Sequence, residues 1–593
     1  MEIITGILSL LGGFVSAIFG GIGSVFSSDA SLGQTYTTVA RYVFIALALF
    51  ILLRSIVSLI RSKNPSEVWA YLHINEDQNL PLTHWENVLG RTRSSDIRID
   101  DMSVSRNHGT LTRDNDGMWK YMDLGSKNGA LLNGRRIRPT AIVRVRIGDV
   151  LQLGASTLTL LPISLEEKRN NQIIREEYTV IPLPWLSLLA ITVFQIMTVI
   201  QLHISLGDKY VPGITYAFLG MCILMWVYVL AVRSVGQRAF EMEIIAFFLS
   251  TLSLAVTATC LPNQTLKQFA AIAIGVLLFF FMCTYLRDLE RTISLKPLMY
   301  LAAAILLLAN LIFGTTKNGA SNWVQIGTFS MQPSEIVKLA FIWVGAASMN
   351  ELFNRRNSLV FTGFSLFCFV CLALMGDFGT AIIFFATFLI ISFLRSGDFT
   401  KLIVIAGVAL VGGLMVIRFY GYVANRFAAW NHVWDADMMN AGGYQQTRTM
   451  TASASGGFVG LGAGNGWLRN EFASETDLVF GILTEEWGLI IAVMTVLAII
   501  TLSIFAFRSI YAGRSTYYTI AACSAMTIFL LQTSLNVLGS VDLLPLTGVA
   551  LPFVSYGGTA MIASWGLLAF LKAADTRQNA SIAVSQKDEG EVV

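Results

Sequence analysis

Residues 183–203 read LPWLSLLAITVFQIMTVIQLH, without one Asp, Glu, Lys or Arg. About twenty consecutive apolar residues are enough for a helix to cross the hydrocarbon core of a bilayer. Runs of the same kind recur near 211–232, 242–261, 267–286, 297–313, 335–350, 358–375, 379–394, 401–419, 479–507, 517–538 and 547–571. They predict twelve spans from residue 183 onward. A further span is expected at 40–60, and residues 3–26, uncharged and Gly-rich, fit either a span or an interfacial segment.

The composition agrees. The 593 residues are 54% hydrophobic and 13% charged, against about 25% charged in a soluble domain. A net charge of +3, spread along the chain, does not imply nucleic acid. All six cysteines lie in apolar segments, and the pair Cys368 and Cys371 reads as buried packing. Five scattered histidines make a His-based metal site unexpected. The N-terminus lacks the basic flank and small-residue cleavage site of a removable signal peptide.

Lys and Arg accumulate on the cytoplasmic side of membrane proteins. Arg233 and Arg238, Arg287 and Arg291, Arg355 and Arg356, Arg395 and Lys401, Arg508 and Arg514, and Lys572 and Arg577 fall at every second turn. The alternation puts the segment before residue 183 and the C-terminus in the cytoplasm. It puts residues 420–478 outside as one long loop. That loop is Gly-rich but carries Trp430, Trp434 and Trp467, which favours a functional loop.

Residues 66–162 differ from their surroundings. They are polar, alternate over Val68–Ile74, Asp96–Ile99 and Leu151–Leu153, and are punctuated by Gly, Asn and Asp. That pattern predicts a compact β domain. The chain thus divides into an N-terminal membrane segment (1–63), a β domain (64–163), a charged linker (164–182), two transmembrane helices (183–235), a polytopic domain (236–573) and a disordered tail (574–593). The expected fold class is an all-α polytopic bundle with an inserted all-β sandwich.

Inside the β domain stand Gly90-Arg91, Ser105-Arg106-Asn107-His108 and Asp123-Leu124-Gly125-Ser126-Lys127-Asn128-Gly129. An Arg fork with hydroxyl and amide donors suits a phosphate, while Asn-Gly also suits a plain hairpin turn. The ordered series GR…SRxH…SxNG resembles the forkhead-associated (FHA) domain family. The resemblance implies a phosphothreonine site in which Arg91 and Ser105 hold the phosphate, Arg106 and Lys127 flank it, and Asn128 fixes the peptide backbone. It also implies a structural role for His108 and a phosphothreonine protein, such as a Ser/Thr kinase substrate, as partner.

Polar groups within spans are costly and usually functional. Asn318-Gly319-Ala320 and Trp323 precede Gln332-Pro333-Ser334-Glu335 and Lys338. Asp377-Phe378-Gly379-Thr380 opens a later span, and Thr476-Asp477-Leu478 closes the outer loop. Glu485-Glu486 follows, then Asn536 and the run Pro545 to Gly558. Glu335 and Lys338, at i, i+3, are spaced to pair, and a mutual structural ion pair is the plainer alternative to a catalytic role. The run Gly456–Gly464 lacks the βαβ surroundings of a dinucleotide loop. No organic cofactor is expected.

These motifs (NGAxxW…QPSExxK, DxGT, GYQ…SGGxxGxGxG, TDxxF…EExG, PxTGxxLPFxSYGG) cover residues 240–571. They resemble the SEDS family (shape, elongation, division and sporulation) of RodA, FtsW and SpoVE proteins. The resemblance implies a bacterial plasma-membrane glycosyltransferase that polymerises lipid II on the outer face beside a class B penicillin-binding protein. It implies Asp477 as general base and Lys338 on the leaving pyrophosphate, with Arg448 a second cation. Glu335 would orient Lys338, and Asp377 would do likewise or hold a divalent cation (Mg or Mn). Trp323, Gln332, Ser555 and Gly557 would line the substrate. A lipid II flippase and a non-catalytic scaffold are the rival readings. The chain departs from the family pattern at Glu471–Glu475, at Arg448, usually Gln, and at Met375-Gly376, usually Gln-Pro.

Overall fold

The computed structural model describes residues 30–61, 68–74, 78–93, 95–113, 117–178, 183–317, 320–327, 329–349, 355–397, 399–511 and 515–575. The expected segment at 3–26, the tail beyond 575, and Asn318 and Gly319 lie outside the described residues. Among the described residues, 11 helices are long and apolar enough to cross a membrane, from Leu32–Arg61 to Thr516–Ser540. Helix Glu241–Cys260 is central, with 94% of its apolar window buried, whereas nothing of Leu402–Phe419 is buried.

Three expected spans differ in detail. Those at 335–350 and 547–571 are helices of 17 residues, Pro333–Met349 and Gly558–Ala574. At 1.5 Å per residue that is about 26 Å, a little under a typical hydrocarbon core. The second is short because residues 541–557 are irregular. Pro545 and Pro552 lack N–H groups, and Gly548 has φ +70°. The run at 479–507 is interrupted. A short helix Val479–Ile482 passes into a π-turn over Leu483–Trp487, and a regular helix starts at Leu489. Gly488 makes the break, with φ +88°, and a Cβ there would lie 2.4 Å from the Phe458 carbonyl oxygen.

The membrane domain is not purely helical. Residues Thr315–Lys317, Ala320–Ile326 and Phe329–Met331 form a small three-stranded antiparallel sheet. The long loop after residue 419 is built from helices Gly421–Ala429, Ala436–Met439 and Tyr444–Gly456.

The β domain has strands β1 Ala70–Ile74, β2 Gln78–Leu82, β3 Glu86–Gly90, β4 Ile97–Arg98, β5 Gly109–Arg113, β6 Trp119–Asp123, β7 Ala130–Leu132, β8 Arg135–Arg136, β9 Ile142–Val145, β10 Val150–Leu153 and β11 Ser156–Leu161. They form two sheets, ordered β2-β1-β11-β10-β7-β8 and β4-β3-β5-β6-β9. Leu72, Leu89, Leu111, Tyr121 and Leu158 alternate with outward residues and fill the core between them. The charged linker is helical over Leu165–Tyr178. Its start is a capping box, with Glu167 N–H donating to Ser164 Oγ at 3.1 Å and Ser164 N–H to Glu167 Oε2 at 2.9 Å.

Helices Ala30–Arg61 and Trp185–Leu206 pack against each other and against Glu241–Cys260, and Ala30–Arg61 also packs against the helix from Leu489. Phe44 and Phe194 meet Trp487 with ring centroids 4.9 and 5.3 Å apart. At the other end of Glu241–Cys260 lies a buried polar knot. Lys572 Nζ donates to Glu243 Oε2 at 2.9 Å and to the Ala239 carbonyl at 2.7 Å, and Gln237 and Tyr228 donate to Glu243 Oε1. Removing one partner of a buried pair leaves an uncompensated charge. Lys572→Met is therefore expected to cost about 3–5 kcal/mol. In detergent, its thermal aggregation midpoint should fall, and the added change Glu243→Gln should restore part of the loss. A midpoint equal to the parent's would show that the pair carries no stability.

Candidate functional site

Two clusters stand out. In the β domain, Arg91 follows β3, Ser105 and Arg106 precede β5, and Lys127 and Asn128 follow β6, so the loops meet at one end of the sandwich. Arg91 N–H donates to the Ser105 carbonyl at 3.1 Å, and Lys127 N–H donates to Ser105 Oγ at 3.0 Å. Asn128 Nδ2 donates to the Ser103 carbonyl at 2.7 Å. Arg106 and Lys127 are exposed. The five expected residues therefore share one rim.

His108 is fully buried beneath that rim. Its Nδ1 accepts from Ser105 N–H and its Nε2 faces the Gly129 carbonyl, each at 3.2 Å. The two contacts fix a neutral tautomer protonated on Nε2. Burial holds the imidazole below its usual range, against the pull of the Gly129 carbonyl and Asp123. Asp101 and Asp123 shape the same loops. Asp101 Oδ1 accepts from Ser103 N–H, and Asp123 Oδ1 accepts from Gly125 and Ser126 N–H. Their signal was an Asp two residues before a Ser or Gly, an Asx-turn spacing.

The second cluster gathers around the irregular segment 541–557. Asp477 is half-buried. Its backbone carbonyl accepts from Asn536 Nδ2 at 3.1 Å, and the same amide donates to the Val549 carbonyl at 2.8 Å. A Cβ on Gly548 would stand 3.2 Å from Asp477 Oδ2. Ser555 Oγ donates to the Thr476 carbonyl at 2.7 Å, and Tyr556 N–H to the Glu475 carbonyl at 2.8 Å. Gly557 N–H donates to Gln268 Oε1 at 3.3 Å. Burial raises the Asp477 carboxyl above its usual range, while the Thr476 hydroxyl and the charge of Arg426 pull it down.

The helix that Asp377 caps also begins against this segment. A Cβ on Gly379 would meet Val549 Cγ2 at 3.0 Å and the Thr547 carbonyl oxygen at 3.2 Å. Asp377 caps helix Phe378–Ser396 through Thr380 N–H, and its Oδ2 accepts from Asn322 Nδ2 and Gln332 Nε2, both at 3.1 Å. Gln332 N–H reaches Thr559 Oγ1 at 3.2 Å. Residues 547–549 thus touch both Asp477 and the first turn of the helix that Asp377 caps. Lys338 is 1% exposed, and its Nζ donates to Glu335 Oε1 at 2.6 Å.

Other expected residues stand apart. Arg448 is exposed, with its guanidinium 5.1 Å over the Tyr444 ring. The cation whose field reaches Asp477 is Arg426, on helix Gly421–Ala429. Trp323 lies in the three-stranded sheet, and its carbonyl accepts from Thr315 Oγ1 at 3.0 Å. Glu485 and Glu486 serve the glycine-rich loop. Glu485 accepts from Trp467 and Leu468 N–H, and Glu486 from Gly464 N–H and Thr259 Oγ1. Among the described residues no three His, Cys, Asp or Glu side chains gather as metal ligands. Asp377 faces amide N–H donors rather than further ligands.

Residues 238–580 match the family model of the cell cycle proteins FtsW, RodA and SpoVE, and residues 87–154 match that of the FHA domain. A probable peptidoglycan glycosyltransferase FtsW of Escherichia coli is 31% identical over 277 residues, covering 44% of this chain and 66% of the relative. The protein of the same name in Wigglesworthia glossinidia brevipalpis is 31% identical over 321 residues, covering 50% and 82%. Among solved structures, a chain of a peptidoglycan synthase complex that coordinates polymerization and crosslinking covers 57% of this chain and 98% of its own. Its identity is 22% and its TM-score 0.48.

The buried neutral His108 makes the loop end of the sandwich sensitive to acid. Its folded pKa lies below the ordinary 6.5. As pH falls through about 6.5 the unfolded chain takes up a proton that the folded domain refuses, so stability is lost on the acid side. Hydrogen exchange over residues 103–129, corrected for intrinsic rates, should lose protection between about pH 7.5 and 5.5. His108→Asn should flatten that dependence. Equal protection at both pH values in the parent would contradict the assignment.

Proposed function

The chain belongs to the FtsW, RodA and SpoVE family of cell cycle proteins, and from that premise we propose that it polymerises lipid II into glycan strands. The observation that supports the reading is that Asp477, through Gly548, and the start of the helix capped by Asp377, through Gly379, both pack against residues 547–549. A half-buried carboxylate beside a polar group built from three side chains suits a sugar acceptor next to a charged leaving group.

Asp477 takes the proton from the acceptor hydroxyl as that oxygen attacks the anomeric carbon of the donor. The bond from that carbon to the polyprenyl pyrophosphate oxygen breaks, and the pyrophosphate departs as an anion. Its charge needs a nearby cation. Lys338 is assigned to it, with Glu335 holding the ammonium in place. Arg426 is added as the cation nearest in effect to the base. Gln332, Asn322 and Asp377 orient the sugar hydroxyls. The loop 420–478 faces outward, and a class B penicillin-binding protein takes up the product. The FHA domain sits in the cytoplasm, where Arg91, Ser105, Arg106, Lys127 and Asn128 receive a phosphothreonine. The exposed Arg and Lys groups on one rim support that part of the reading.

Asp477→Asn keeps the size and removes the base. Polymerisation of purified lipid II should fall about 100-fold or more, since general-base catalysis contributes 10²–10⁴. Lys338→Met should also abolish activity, with weaker substrate binding. Because the Asp477 carboxyl is raised, the parent's acid limb should lie above pH 3.8, the ordinary aspartate value, with activity lost as the carboxylate is protonated. Parent-level polymer from Asp477→Asn would move the base elsewhere. Intact lipid II translocation with no polymer from any preparation would favour a transporter.

For the FHA site, Arg91→Ala removes a bidentate partner of the phosphate. Binding of a phosphothreonine peptide to the full chain should weaken at least ~10-fold, since charge-assisted hydrogen bonds contribute about 1.5–3 kcal/mol. Equal binding of phosphorylated and unmodified peptide by the parent would end the phosphothreonine reading.

A further inference from the structure

Cross-strand pairing places Glu86 opposite Thr112, Thr112 opposite Lys120, and Lys120 opposite Arg144. Directly opposed residues point to the same face of a sheet. Glu86 and Lys120 therefore lie in one row across the five-stranded sheet, and both touch the helical domain. Glu86 Oε1 meets Arg395 Nη1 at 3.4 Å, and Glu86 Oε2 accepts from Thr516 Oγ1. Lys120 Nζ meets Glu290 Oε1 at 3.4 Å.

The helical partners are the ends of particular elements. Arg395 closes Phe378–Ser396, Thr516 opens Thr516–Ser540, and Glu290 lies in the short helix Leu289–Ser294. The Glu86–Arg395 pair is mostly buried, at 17% and 13% side-chain exposure, and among the described residues Arg395 Nε and Nη2 have no hydrogen-bond partner. A guanidinium so enclosed depends on Glu86 for its compensation. The phosphate-binding loops lie at the other end of the sheet. Glu86 begins β3 and Arg91 follows its last residue. Five residue steps along a strand span about 16 Å.

We propose that the FHA domain is docked on the helical domain through this row, with Glu86 as the joint and the phosphate-binding rim turned away. Glu86 then holds the inner ends of two helices whose outer ends serve the other cluster. Phe378–Ser396 is capped by Asp377, and Thr516–Ser540 carries Asn536, which holds Asp477. One carboxylate joins the phosphate reader to both walls of the outer site. The docking stands or falls without reference to glycan synthesis or phosphopeptide binding.

The test uses the full chain in membranes, with Lys120→Cys and Glu290→Cys introduced together and a bismaleimide of ~10 Å reach. Docking predicts an efficient internal cross-link. Adding Glu86→Arg should lower its yield at least ~5-fold, the effect of losing one or two kcal/mol of docking energy. The further exchange Arg395→Glu should restore the yield, because the pair is reformed with its charges swapped. Restoration also shows that Glu86→Arg had not simply unfolded the domain. A parent that does not cross-link, a yield indifferent to Glu86→Arg, or a failure of the swap to restore it would each overturn the docking.

Discussion

A stretch of irregular backbone inside a helical membrane bundle has to find a partner for every buried N–H and C=O, because hydrocarbon supplies none. Residues 541–557 meet that demand with side chains from three surrounding helices and one of their own. Asn536 serves the Val549 carbonyl, Ser564 Oγ accepts from Phe553 N–H, and Gln268 Oε1 accepts from Gly557 N–H. Ser555 accepts from Leu551 N–H and donates to the Thr476 carbonyl. The contact to Thr476, with Tyr556 N–H on the Glu475 carbonyl and Asn536 on the Asp477 carbonyl, locks residues 475–477 in place. The position of Asp477 is a by-product of satisfying a backbone that cannot be helical.

The same reasoning explains what could be read from the sequence. Helices and sandwich strands announce themselves through periodicity, which is a local property: Glu241–Cys260 is one apolar run, and Leu151 and Leu153 alternate with Gln152. The residues in the two clusters were legible because their types are rare in such surroundings. Their partnerships were not. Asp377 and Asp477 are a hundred positions apart, and residues 547–549 reach Asp477 and the helix that Asp377 caps. An apolar stretch such as Val549 to Val554 looks like the start of a span until the prolines and the left-handed Gly548 are weighed together. Arg426 has the same difficulty, since its effect on Asp477 depends on how the outer loop folds back.

The N-terminal helices lie outside the family match, yet they contribute to the wall that the matched residues need. Arg41 Nη1 donates to the Gly460 carbonyl at 2.8 Å. The Thr37 methyl and the Gln201 amide come close to Gly462, and Ser205 to Gly464. From the inner side, Glu485 and Glu486 take the N–H groups of residues 464, 467 and 468. The glycine-rich loop is therefore gripped between carboxylates of the family domain and polar side chains of the added helices. A loop with so few side chains of its own has little apolar area with which to fix itself. Its order must come from neighbours, and helices Ala30–Arg61 and Trp185–Leu206 supply the outer half of that support.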